Sequence, residues 1–155
     1  MSRLSIQLLG TVRVTLKGEP VTRFESDKAR ALLAYLAVEA DRAHQREKLA
    51  GMLWPESTEQ VARAYLRRLL VNVRRAVGDY EANPPPLHIT RQTIQFNRLS
   101  DAWVDVTAFL RLVQARGLTD QETIHQLEEA VELSRGGFLE GFSLAGSPAF
   151  EEWAL

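Results

Sequence analysis

The chain has 155 residues, 45% of them hydrophobic and 25% charged, with few glycines and prolines. That is the composition of a soluble globular protein able to bury its own core. It has no cysteine, which rules out disulfides and thiolate metal sites and fits a reducing cytoplasm. The longest apolar stretch, Ala31 to Val38, is far short of the roughly 18 residues of a membrane span, and the interrupted N-terminus does not read as a signal peptide. The net charge of −1 hides an asymmetry. Residues 1–98 carry 16 Lys and Arg against 10 Asp and Glu, a balance of +6, whereas residues 99–155 carry 3 against 10, a balance of −7. Such a split predicts two units with different partners, the basic one suited to nucleic acid.

In chain order, Ser5–Gly10 and Val12–Leu16 alternate apolar with polar residues and predict two strands. A short third strand is expected near Val21. The period then changes to 3.6. Ser26 is placed to cap a helix whose buried stripe is Ala29, Leu32, Leu33, Leu36 and Ala37. A second helix is expected from Arg46 to Leu53, stopped by Trp54-Pro55 because a residue before proline is pushed out of the helical region. Ser57 and Gln60 read as a capping box for a third helix, Thr58 to Val77, ended by Gly78. After the stiff Asn83–Pro86 connector, Leu87–Ile89 and Ile94–Phe96 flank the polar turn Thr90–Thr93 and predict a β-hairpin. A small antiparallel sheet, three helices and a hairpin is the order of an α+β winged helix-turn-helix.

The remainder reads as helical. Asp105 is expected to cap a helix to about Ala115, and Thr119 with Glu122 to box a helix reaching Ser134. Ser147-Pro148 opens a third, which is still running at Leu155 and so suggests a truncated segment. The expected division is therefore a winged-helix unit over 1–98 and a helical unit over 102–155.

The third helix carries the chemistry. On a wheel, Ala62, Leu66, Leu69, Leu70, Val73, Ala76 and Val77 share one arc. The opposite arc presents Ala64, Arg67, Arg68, Val71 and Arg75, flanked by Arg63, Asn72 and Arg74. From Val61 to Val77 there are five arginines and no acid. Solvated helix faces usually mix signs to gain i,i+4 pairs, and this one forgoes them. A helix in a major groove needs cations along both phosphate walls and small or polar residues at its leading edge. Arginine also reaches guanine edges bidentately, and Val71 would suit a thymine methyl. Arg46, at the start of the second helix beside His44 and Gln45, and Arg91, at the hairpin tip, are further phosphate candidates. Arg91 also reads as an ordinary solvated turn residue.

Enzyme signatures are missing. There is no glycine-rich phosphate loop, paired-histidine spacing or nucleophile elbow, so no catalytic residue, metal or cofactor is expected. The acids Glu128, Glu129 and Glu132 read as a solvated helix face.

Several runs together resemble a known family. Arg30–Ala37, Arg46–Ala50 with Leu53-Trp54-Pro55, and Ala62–Arg67 with Val73–Gly78 are similar to the DNA-binding domain of the Streptomyces antibiotic regulatory proteins, the SARP-type regulators with an OmpR-like winged helix. Val104–Val106 with Phe109, Ala130–Leu133, Gly137–Phe142 and Phe150–Trp153 resemble the opening of the bacterial transcriptional activator domain. The resemblance implies a sequence-specific activator that binds direct repeats in promoter DNA, with the third helix in the major groove and the hairpin in the minor groove. It also implies contact with RNA polymerase and a tetratricopeptide-like helical segment that begins in the second unit. Self-association through the helical region is a further expectation, and no membrane partner is. The chain departs from the family at Tyr65, Leu69, Val71 and Asn72, where more polar residues are usual, which implies a different base sequence. The alternative is a protein-interaction module of a larger signalling regulator in which the winged helix is degenerate.

Overall fold

In the computed structural model, which describes residues 2–155, the first two strands form where the alternation places them. β1 (Leu4–Gln7) pairs antiparallel with β2 (Arg13–Leu16), Ile6 lying opposite Val14, so that Leu4, Ile6 and Val14 turn inward together. Lys17 and Gly18 both take positive φ in the two-residue turn to β3 (Glu19–Pro20), a conformation whose twist matches that of a hairpin. The third strand thus lies just before Val21, whose N–H still donates to the Val14 carbonyl at 2.8 Å.

Three helices follow. α1 (Asp27–Val38) is capped by Ser26, whose hydroxyl accepts from the Ala29 N–H. α2 (Arg46–Leu53) ends at Trp54 as expected. α3 (Glu59–Ala76) is capped by Thr58 rather than by Ser57: Thr58 Oγ1 accepts the Val61 N–H at 3.3 Å, so the expected Ser57–Gln60 box is replaced one residue on. Gly78, at φ 69°, turns the chain out of the helix into a single 3-10 turn, Asp79–Glu81. The hairpin is β5 (Leu87–Ile89) with β6 (Thr93–Phe96). A two-residue strand, β4 (His44–Gln45), pairs with β6 on its other side and makes a sheet in the order β4-β6-β5. His44, which the sequence sets beside Arg46, is buried there, its Nε2 2.7 Å from the Glu39 carbonyl.

The second stretch is not purely helical. β7 (Ala102–Val104) adds in parallel to the free edge of β1 and completes a four-stranded sheet in the order β3-β2-β1-β7. α4 (Asp105–Val113) starts directly from it, and here too a cap is reassigned. Asp105 does not cap α4. Its buried carboxylate accepts the backbone N–H groups of Leu8 and Leu9 instead. α5 (Asp120–Leu133) does carry the expected capping box, with Thr119 and Glu122 bonded reciprocally. α4 and α5 pack on each other, and α6 (Pro148–Ala154) returns to α2.

Ser147, before α6, donates to the Leu53 carbonyl at 3.1 Å, and Lys28 Nζ donates to the same carbonyl at 2.8 Å. Both satisfy the open end of α2. Phe150 is fully buried in the same core as Leu32, Leu36, Leu53, Leu66 and Ile94, a burial that contributes about 1.5–3 kcal/mol. The described residues thus form a mixed α/β fold of six α-helices and two small sheets. No helix among them is long and apolar enough to cross a membrane.

Candidate nucleic-acid interface

At 1.5 Å per residue the 18 residues of α3 span about 27 Å. Its inner stripe, Ala62, Leu66, Leu69, Leu70, Val73 and Ala76, is buried against α1 and α2. The face away from them carries Arg63, Ala64, Arg67, Arg68, Val71 and Arg75, all exposed. Among the described residues, no carboxylate lies within 4 Å of any of these four arginines. Tyr65, on the flank, tilts against Trp54 with ring centres 5.6 Å apart, which links this face to the end of α2.

Two residues expected on the face are committed elsewhere. Asn72 is 7% exposed; its side chain donates to the Arg23 carbonyl at 2.9 Å and accepts the Glu25 N–H at 3.0 Å. An amide whose two ends both hold the loop before α1, and which is buried, is turned away from a base. Arg74 is half-buried, its Nε 2.8 Å from Asp79 Oδ2 and its guanidinium stacked 4.0 Å from the centre of the Tyr80 ring. The other oxygen of Asp79 accepts the Leu87 N–H, so Arg74 and Asp79 fasten the end of α3 to the start of the hairpin.

Arg46 is half-buried between the helices and the hairpin. Its Nη2 donates to the Thr90 carbonyl at 2.8 Å and its backbone N–H to the Gln92 carbonyl at 2.9 Å. Burial first, and then the charges of Arg67 and Arg63, lower its pKa below the usual arginine value, which places these three cations in one field. Between Thr90 and Thr93 the Thr90 hydroxyl accepts the Gln92 and Thr93 N–H groups, and Arg91 stands exposed at the tip. One basic residue not singled out from the sequence joins them: Arg23 lines a shallow hollow with Arg75 and Tyr80. Only its distance from α3 in the chain hid it, because Asn72 folds that loop back onto the helix.

The outward side of the first 98 residues therefore combines an arginine-bearing helix, a basic hairpin tip and the Arg46 cluster on one framework. Cations gathered on one framework in this way suit a polyanion. Among the described residues no group of three or more His, Asp or Glu side chains is clustered for a metal ion.

No family model matches the chain, and no curated protein matches it. Among solved structures it is similar to Mycobacterium tuberculosis EmbR in complex with a low affinity phosphopeptide. The TM-score is 0.72 at 23% identity, over 99% of this chain. The two share a fold. The match extends over 41% of the EmbR chain, so this chain spans about two-fifths of its length.

Proposed function

We propose that the chain is a sequence-specific DNA-binding transcription regulator of the SARP type, with residues 1–98 as a winged helix and 102–155 as the opening of a tetratricopeptide-like helical unit. α3 lies in the major groove with Arg67, Arg68, Val71 and Arg75 toward the base edges, Arg63 holds phosphate, and the hairpin carries Arg91 to the minor groove. Arg46 and Arg74 act mainly by fixing the hairpin and the end of α3. The reading rests above all on the acid-free outer face of α3, whose four unpaired arginines have no role in the core.

The second stretch faces protein rather than DNA. α5 carries five acids and no Lys or Arg, and Ile124, Leu127 and Val131 stand exposed along it at helical spacing. Like charge repels the DNA backbone there, and an apolar stripe flanked by acids suits a basic surface on RNA polymerase, which makes the protein an activator acting in the cytoplasm at promoter repeats. Self-association through the same stripe is the competing use.

Fluorescence anisotropy against random-sequence duplex DNA at several salt concentrations tests the DNA reading. The expected result is binding that weakens steeply with salt and is damaged by both Arg67→Ala and Arg68→Ala. No binding at low salt by the folded protein would overturn it and favour the protein-interaction alternative.

A further inference from the structure

Where the two stretches meet, a cleft of about 800 Å³ opens. Trp103, in β7, supplies aromatic wall, with Phe96 buried behind it at the end of β6; Arg98 and Arg111 line it as cations, and Glu129 and Glu132 line it from α5. The volume falls within the roughly 300–1,000 Å³ of small-molecule sites, which favour junctions between units and combine apolar walls with a few polar groups. The four charges are not spent on one another. Among the described residues Arg98, Arg111 and Glu132 have no ion-pair partner within 4 Å, and Glu129 meets only His125 of its own helix, at 2.8 Å. Two cations and two anions thus share one aromatic-walled space without closing it.

We propose that this cleft binds a small zwitterion with an aromatic or apolar body, of amino-acid type. Its carboxylate meets Arg98 and Arg111, its ammonium meets Glu132 and Glu129, and its body packs on Trp103. Arginine supplies the planar fork that a carboxylate takes bidentately, and a ligand with both charges leaves none of the four unmatched. A simple anion would meet the glutamates and a simple cation the arginines, so the lining selects against both. The ligand touches Arg98 and β7 on one side and α4 and α5 on the other, the position from which an effector acts on both stretches. The proposal does not depend on DNA binding and is read without DNA.

Nε-dansyl-L-lysine, an aromatic body carrying a free amino-acid end, is the probe, titrated into the whole chain with energy transfer from tryptophan as the signal. Saturable one-site binding is expected. Arg111→Gln and Glu132→Gln should each weaken it about tenfold or more, the loss of one charge-assisted bond, with the unfolding midpoint unchanged. Leu127→Asp, on the exposed stripe of α5, should leave it alone, and dansylcadaverine, which lacks the carboxylate, should bind more weakly. Failure to saturate by millimolar probe, or binding that survives either the Arg111 or the Glu132 substitution, would overturn the proposal.

Discussion

Asp105 grips the backbone of Leu8: its Oδ1 lies 2.8 Å from the Leu8 nitrogen, and its Oδ2 reaches the nitrogens of both Leu8 and Leu9 at 2.9 Å. The carboxylate is 1% exposed and, among the described residues, has no cation within 4 Å. Two N–H donors, together with its place in the first turn of α4, offset the desolvation of its charge. Through this one side chain, helix α4 is fastened to the extension of the first strand.

Replacing Asp105 with alanine leaves the buried N–H of Leu8 and the part-buried N–H of Leu9 without their acceptor. A loss of about 3 kcal/mol is expected, which for a chain of this size is roughly 6–12 °C in the unfolding midpoint. Circular dichroism on heating checks it. A change within about a degree would mean that water replaces the carboxylate at no cost.

Arg68 and Asn72 are four residues apart on α3, and their substitutions should have opposite signatures. Arg68→Ala removes an exposed cation, so stability should move by less than about 0.5 kcal/mol, while the salt dependence of DNA binding falls by about one unit of slope. Asn72→Ala frees the Arg23–Glu25 loop and should lose about 1–3 kcal/mol of stability with the slope kept. Urea unfolding and anisotropy on both variants separate the roles. A slope that fell with Asn72→Ala alone would reverse them.

The buried stripes of α1, α2 and α3, the Ser26 cap of α1, the proline stop after α2 and the Gly78 stop after α3 were legible because the information is local. What escaped depends on distant partners. β7 is three residues long and makes sense only beside β1, nearly a hundred residues earlier in the chain, while β4 has two residues and is defined by β6. Thr58 and Ser57 are both able caps, and only the backbone decides which oxygen meets a free N–H. Asn72 sits about 40° from Ala76 on the wheel, at the margin of the buried arc, so its burial was readable and its polarity misled. Arg74 looked free because its partner, Asp79, reaches it only after the left-handed turn at Gly78.

Glu39 makes the attachment of α6 sensitive to pH. Its carboxylate accepts the Trp153 indole N–H at 3.0 Å and, with the nearby Arg42, is held below the usual carboxylate pKa, burial opposing. A depressed folded value means that the stabilisation is present above the unfolded pKa, about 4.3, and is lost as pH falls through the folded one. Tryptophan fluorescence should therefore report loosening of α6 on acidification below the ordinary carboxylate range. Glu39→Gln, which keeps Trp153 as the reporter and an oxygen to accept its indole N–H, should remove that transition. Persistence of the same transition in the variant would assign it to another carboxylate.

Arg46 joins repulsion to architecture. It stays charged throughout the ordinary pH range, so the field it shares with Arg63 and Arg67 is expressed as strain in the free protein rather than as titration. An anion on that side should relieve it. Sulfate stabilises most proteins by exclusion, so the informative quantity is the difference between the wild type and Arg46→Gln at matched ionic strength. The wild type should gain more from sulfate. The variant should also bind DNA more weakly, because the Arg46–Thr90 bond that places Arg91 is gone. Equal gains in the two proteins would mean that solvent already screens the three arginines from one another, and a remaining defect in DNA binding would then come from the hairpin's placement alone.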